Sequence, residues 1–366
     1  VRRHRKLTAL LAVLFAFMLL AAACGDDSGD DEGTDTTDGG TETTEGGEPA
    51  ASDLTVGLAY DLGGRGDQSF NDSAAAGLDQ AVDELGISEP QELEPDEGGE
   101  NRQELLQTLC DADTNLIIAV GFLYSESVGA VAGNCPNSTF AIVDDAANDL
   151  PNVANLTFAE EQGSFLVGAA AALTTESDHV GFIGGVNIEL INKFEAGYTA
   201  GVHAVDPAIT VDVEYLTEPP DFDGFNAPDR GREVAASMYE GGADVVYAAA
   251  GGSGGGVFEA AVAAREGGAT AWAIGVDSDQ YNTADPAVHD VILTSMLKKV
   301  NVAVFNTIQS AVDGETPAST VFDLSVDGVG YSTSGEFLSE DTIAALEEFK
   351  QQIIDGDVEV PTVPES

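Results

Sequence analysis

Carboxylates recur where this chain passes from an apolar run into a turn. Asp61-Leu62-Gly63-Gly64-Arg65-Gly66-Asp67-Gln68-Ser69-Phe70-Asn71 follows one such run, Asp144-Asp145 a second and Asp277-Ser278-Asp279-Gln280 a third. Any one of them is explained as a helix cap or turn residue, with Asp67 or Ser69 the candidate cap ahead of Phe70. Their recurrence at one topological edge points instead to a polar cluster that binds a ligand. Gly251-Gly252-Ser253-Gly254-Gly255-Gly256 follows the apolar run Val245 to Ala250 and opens a helix, so backbone N–H groups there can approach a ligand closely. It is not the dinucleotide fingerprint, yet Asp277 stands about 20 positions on, where a carboxylate can hold a ribose. Lys298 follows another strand end and is read as a cleft residue, although a lysine is ordinarily solvated.

Catalytic constellations are thin. His4 lies near the start, and His179, His203 and His289 fall before a strand, within a helix and in a turn, without metal-ligand spacing. Neither a nucleophile elbow nor a phosphate-binding P-loop nor a zinc motif is present, and the paired carboxylates show no acid–base asymmetry. Binding is therefore favoured over catalysis, with no catalytic residue, metal or cofactor expected. The enzymatic rival is a nucleoside hydrolase holding a metal between Asp61, Asp67, Asp144 and Asp277.

These groups need a scaffold, and the hydrophobic pattern supplies an alternating one. The spacing predicts strands over Leu54–Tyr60, Leu116–Val120, Phe140–Val143, Val180–Ile183, Val211–Tyr215, Val245–Ala249, Ala271–Val276 and Val291–Ser295. Between them it predicts helices over Ser69–Leu85, Phe165–Leu173, Ile188–Val205, Arg230–Tyr239, Val257–Arg265 and Val300–Val312. Parallel sheets with covering helices follow, and 366 residues exceed one ordinary core, so two Rossmann-like lobes are expected. Ligands of such folds sit beyond the carboxyl ends of the strands, where the acidic turns stand.

With 13 Lys+Arg against 65 Asp+Glu and a net charge of −52, the chain cannot present the basic surface that nucleic acid needs. Arg2, Arg3, Arg5 and Lys6 precede an apolar run from Leu7 to Leu20 and then Ala21-Ala22-Ala23-Cys24, the pattern of an export signal over residues 1–23. That run is shorter than the roughly 20 residues of a membrane span. Small residues leading into Cys24 resemble a bacterial lipobox, with Ala21 where Leu or Val is commoner, so Cys24 is expected to carry lipid on the outer face of the cell membrane. Residues 24–53 are almost wholly Gly, Asp, Glu, Thr and Ser and read as a flexible tether. Outside the cytoplasm, Cys110 and Cys135 are expected to form a disulfide.

Seven blocks carry a family resemblance: Gly66-Asp67-Gln68-Ser69-Phe70-Asn71, Gln162 to Gly168, Val180 to Gly185, Ala196 to Gly201, Gly251 to Gly254, Ala273 to Gln280 and Thr294 to Lys299. In this order they resemble the basic membrane lipoproteins, substrate-binding proteins of ABC transporters that include purine nucleoside receptors. The resemblance implies an α/β type I periplasmic-binding-protein fold, two Rossmann-like lobes joined by chain crossovers. Residues 54–158 are expected to form the first lobe, completed by roughly 280–315, and residues 159–279 the second, completed by roughly 316–366. It further implies an importer subunit that hands a purine nucleoside (guanosine, inosine or adenosine) to a permease; the alternative is another small molecule, a sugar or signal, for uptake or sensing. Carried over residue by residue, Phe70 and Phe225 stack on the base, with Phe222 the alternative to Phe225. Asp61, Asn71 and Asp144 meet the base edge, Asp277 and Gly252 the ribose, and Lys298 the sugar or base. Ala227 stands where the family usually has Asp.

Overall fold

Strands buried on both faces need helices above and below, and the computed structural model, which describes residues 53–364, shows how the chain arranges this twice. The expected export signal, Cys24 and the tether up to residue 52 lie outside the described residues. The first lobe runs β1 (Val56–Ala59), α1 (Phe70–Leu85), β2 (Gln91–Leu93), α2 (Arg102–Asp111), β3 (Leu116–Ala119), α3 (Ser125–Val131), β4 (Thr139–Val143) and β5 (Val153–Phe158). β1 and β3 are buried along their whole length. The chain then crosses to the second lobe through α4 (Glu160–Thr174), β6 (His179–Val186), α5 (Glu189–Val205), β7 (Thr210–Thr217), α6 (Pro228–Gly241), β8 (Val245–Ala249), α7 (Gly254–Glu266), β9 (Trp272–Asp277), α8 (Gln280–Thr283) and β10 (Ile292–Lys298). It returns as α9 (Val300–Val312), which packs on α1, and β11 (Thr320–Phe322), before β12 (Val329–Tyr331) and α10 (Glu340–Asp355) end in the second lobe.

The two sheets have matching orders, β11-β5-β4-β3-β1-β2 and β12-β10-β9-β8-β6-β7. Every strand pair is parallel except β10 with β12. In each lobe the order reverses beside the first strand, between β1 and β3 and between β6 and β8, and that reversal opens a crevice at the carboxyl ends. Three connections link the lobes: Ala159, Lys299 and the segment 323–328. One apolar cluster continues through them, and Phe158 stacks on Phe322 with ring centroids 5.2 Å apart.

The expected lobe boundaries are corrected at two strands. Ile292–Lys298, expected in the segment completing the first lobe, is the fifth parallel strand of the second sheet, paired with β9. Conversely, Thr320–Phe322 pairs with β5 in the first sheet instead of the second. The physical reason is connection length: the short α8 segment can only return the chain beside β9, so the crossing back comes after Lys298. Periodicity also passed over β2, α2, α3, β5, α8, β11, β12 and α10, which are short, partly exposed or rich in polar residues. Cys110 and Cys135 are disulfide-bonded with Cα atoms 6.0 Å apart, tying the end of α2 to the turn after α3.

Candidate ligand-binding site

Both sets of strand ends face one cavity lined by residues of both lobes. All eight residues expected to bind ligand line it: Asp61, Phe70, Asn71 and Asp144 from the first lobe, Phe225, Gly252, Asp277 and Lys298 from the second. Phe222 does not; its ring lies edge-on to Phe122 at 6.1 Å between centroids. Phe225 projects from the turn before α6, and its ring packs against Gly185 of β6 so closely that a side chain at Gly185 would strike it. Phe70, the first residue of α1, lies in the other lobe, and Phe122 and, on α5, Phe194 add two further rings that the sequence reading did not select.

The carboxylates differ in what holds them. Asp67 caps α1, accepting hydrogen bonds from the N–H groups of Ser69 (2.9 Å), Asn71 (2.9 Å) and Asp72 (3.1 Å). Asn71 is committed to the same loop: its Oδ1 accepts from the Asp61 N–H at 2.9 Å, and its Nδ2 donates to Leu62 O and Asp67 Oδ2. Of the two groups expected to meet the base edge from this loop, Asp61 therefore keeps the free acceptor. Its Oδ1 receives the Leu62 N–H and Arg102 Nη2, both at 2.8 Å.

Asp144 and Asp277, at the ends of β4 and β9, both adopt left-handed backbone conformations, with φ of 66° and 65°. Such backbone costs on the order of 1–3 kcal/mol for a residue other than glycine and concentrates at functional sites. Burial pushes both carboxyls up to about 6 even though the nearby Lys298 ammonium pulls them down. Ser69 Oγ donates to Asp277 Oδ2 at 2.6 Å across the lobes. Asp144 Oδ2 accepts from Lys298 Nζ at 2.6 Å, while Asp144 Oδ1 is buried and has no hydrogen-bond partner among the described residues. An acceptor left so in a cavity wall calls for a donor from whatever fills the cavity.

Lys298 is 2% exposed and sits among three rings, 5.1 Å from the centroids of Phe70 and Phe158 and 5.6 Å from that of Phe194. Burial alone would lower its pKa, but Asp144, Glu160 and Asp277 outweigh that and raise it, so the ammonium is charged. Glu160, 1% exposed at the start of α4, faces Lys298 at 3.4 Å and Lys193 at 3.3 Å. The sequence reading missed Glu160, Lys193 and Arg102. Scarcity of basic residues, which singled out Lys298, was the available signal for Lys193 and Arg102.

Further polar contacts join the lobes, among them Ser278 Oγ to Ser69 O at 2.9 Å and Gln280 Nε2 to Gln68 O at 3.1 Å. The lobes are thus closed on a cleft walled by aromatic rings and carboxylates with one buried cation, at the switch point of both sheets. Fold and site define a two-lobed substrate-binding protein of the kind that serves ABC transporters. The chain belongs to the family described as ABC transporter substrate-binding protein PnrA-like, which matches residues 55–363. It is 35% identical to a CD4+ T-cell-stimulating antigen of Listeria monocytogenes, over 99% of this chain and 100% of that protein. Identity is 32% to the ABC transporter nucleoside-binding protein BmpA of Lactococcus lactis, covering 85% of this chain and 90% of that one. Among solved structures, a solute-binding protein of an ABC transporter system from Aeropyrum pernix superposes with a TM-score of 0.73 at 28% identity, covering 85% of this chain and 94% of its own. The family is one of binding proteins, not enzymes.

Proposed function

We propose that the cleft captures a purine nucleoside for delivery to an ABC permease, and that the protein is held by lipid on Cys24 at the extracytoplasmic face of the cell membrane. The observation that carries the ligand reading is that one cavity is lined by Phe70 of one lobe and Phe225 of the other together with Asp144, Asp277 and Lys298. Two rings suit a flat base. The polar end suits a ribose: Asp144, expected from the resemblance at the base edge, pairs instead with Lys298, so vicinal hydroxyls can donate to Asp277 and to the unpartnered Asp144 Oδ1 while Lys298 donates to a sugar oxygen. Gly252 lends backbone at the same end. A sugar alone would use this polar end but leave the rings idle.

A nucleotide is disfavoured. Asp61, Asp67, Asp144 and Asp277 line the cavity against Lys298, and a phosphate dianion buried there would be left unbalanced. The nucleoside-binding relative from Lactococcus lactis supports the same ligand class. Calorimetric titration with guanosine, inosine, adenosine, cytidine, ribose and a nucleoside monophosphate tests the reading. Micromolar or tighter binding confined to purine nucleosides is expected; binding of ribose but of no nucleoside would overturn it.

A further inference from the structure

Asp277 lines the cavity from the second lobe, but the side chain that holds its carboxylate comes from the first. Ser69, wholly buried just before α1 and not itself in the cavity wall, donates from Oγ to Asp277 Oδ2 at 2.6 Å, the length of a bond to a charged acceptor. Among the described residues this is the one hydrogen bond that the carboxylate receives, since Lys298, whose charge also acts on it, gives its hydrogen bond to Asp144. Ser69 is held in turn: its N–H donates to Asp67 Oδ1 at 2.9 Å, and its carbonyl accepts from the Ser73 N–H at 3.0 Å. The neighbouring contacts also run from lobe to lobe. Ser278 Oγ donates to Ser69 O at 2.9 Å, and Gln68 O, carried by a residue with φ of 57°, receives Gln280 Nε2 at 3.1 Å and Thr283 Oγ1 at 3.3 Å. Gln280 is buried, and its Oε1 accepts the Val276 N–H at 2.8 Å, which fixes the amide that reaches across.

We infer that Ser69 is a positioning residue that makes the grip of Asp277 on the ligand conditional on closure of the lobes. The inference rests on the purine nucleoside reading, in which Asp277 meets the ribose, and deepens it. Separating the lobes carries Ser69 away with α1 and leaves the Asp277 carboxylate without the hydrogen bond that sets its side-chain torsion. Bringing them together restores the donor on Oδ2 and fixes the orientation in which Oδ1 is offered. A carboxylate already held gives up less freedom on accepting a ligand hydroxyl than one that rotates, so the closed cleft binds more tightly than the open one. The coupling is reciprocal: a hydroxyl that engages Asp277 favours the arrangement in which Ser69 is within reach. Ser278, Gln280 and Thr283 join the same two turns, but their bonds end on Ser69 O and Gln68 O and touch no group in the cavity wall. Of these interlobe contacts, only Ser69 Oγ ties closure to a ligand-binding group.

The test is how the effect of Ser69→Ala divides between association and dissociation of inosine, read by surface plasmon resonance on the immobilised protein. The bond forms as the lobes meet, after the ligand has entered. Ser69→Ala is therefore expected to keep the association rate within about twofold of wild type and to raise the dissociation rate about tenfold, the scale of a hydrogen bond to a charged group. Ser278→Ala removes a neutral bond from the same turn without touching Asp277, and is expected to raise dissociation by only about threefold. Ser69 has φ of −144° and ψ of −112°, which glycine also adopts, so Ser69→Gly carries the test should Ser69→Ala fail to fold. An association rate that changes as much as the dissociation rate, or dissociation no faster than from Ser278→Ala, overturns the role of Ser69. Wild-type protein that binds no purine nucleoside overturns the functional reading itself, a result distinct from either.

Discussion

Lys298→Met removes the fully buried cation among Asp144, Glu160 and Asp277 and leaves Lys193, 3.3 Å from Glu160, as the remaining cation beside them. Lys298 and Asp144 are 2% and 5% exposed and 2.6 Å apart, and Glu160 lies 3.4 Å away at 1% exposure. Breaking a buried pair by deleting one partner costs about 3–5 kcal/mol, because the remaining charge is stranded in a poor solvent. Methionine keeps the apolar stem among Phe70, Phe158 and Phe194, so the loss reports charge and not packing. At about 2–4 °C per kcal/mol for domains near this size, the unfolding midpoint at pH 7.5 should fall on the order of 10 °C. The pH dependence follows from the carboxylates. Asp144 and Asp277 have folded pKa values raised to about 6, so their contribution to stability is full below the unfolded value and disappears as pH rises through about 6. Without Lys298 they rise further, and the variant goes on losing stability above pH 6 where the wild type has levelled. The difference between the two proteins should therefore be small near pH 5 and widen toward pH 8, by up to about 1.4 kcal/mol per pH unit for each extra proton held. Thermal unfolding of both proteins across that range is the assay. Equal midpoints at pH 7.5, or a deficit that does not change with pH, would refute the buried triad.

Replacing Phe225 by Ala should weaken nucleoside binding by about 1–3 kcal/mol, the range for one stacked base, whereas Phe222→Ala should leave calorimetric affinity near wild type; equal losses would reassign the stacking ring. Nucleoside affinity should be flat above pH 7 and fall as pH drops through about 6, because protonation of Asp144 and Asp277 removes the acceptors of the ribose hydroxyls. Affinity that rises on acidification would contradict that assignment. Reducing the Cys110–Cys135 bond, which closes a separation of 25 residues, should cost about 2–4 kcal/mol in urea unfolding, and an unchanged midpoint would count against its structural role.

What was legible in the sequence followed from local chemistry. Asp61, Asp144 and Asp277 each end a short apolar run, so strand periodicity alone placed them at one edge, and the cavity collects all three. Lys298 stood out because basic residues are rare and this one ends an apolar strand. Glu160 was hidden: it opens α4 beside Glu161 and reads as ordinary helix-start acidity, and only the crossing at Ala159 brings it to Lys298. Arg102 was hidden for a related reason, since α2 is a polar helix whose first turn meets the Asp61 loop 41 residues away in sequence. The exchange of β10 and β11 between sheets was equally invisible, because strand pairing depends on where the chain crosses and not on side-chain period.

A crystal structure of the protein grown with inosine tests the central claim most directly. The account expects the base between Phe70 and Phe225, its N1 directed at Asp61, and the ribose hydroxyls within about 3 Å of Asp144 Oδ1 and Asp277. A nucleoside bound outside this cleft, or lodged in it with its sugar between the rings and its base among the carboxylates, would contradict it.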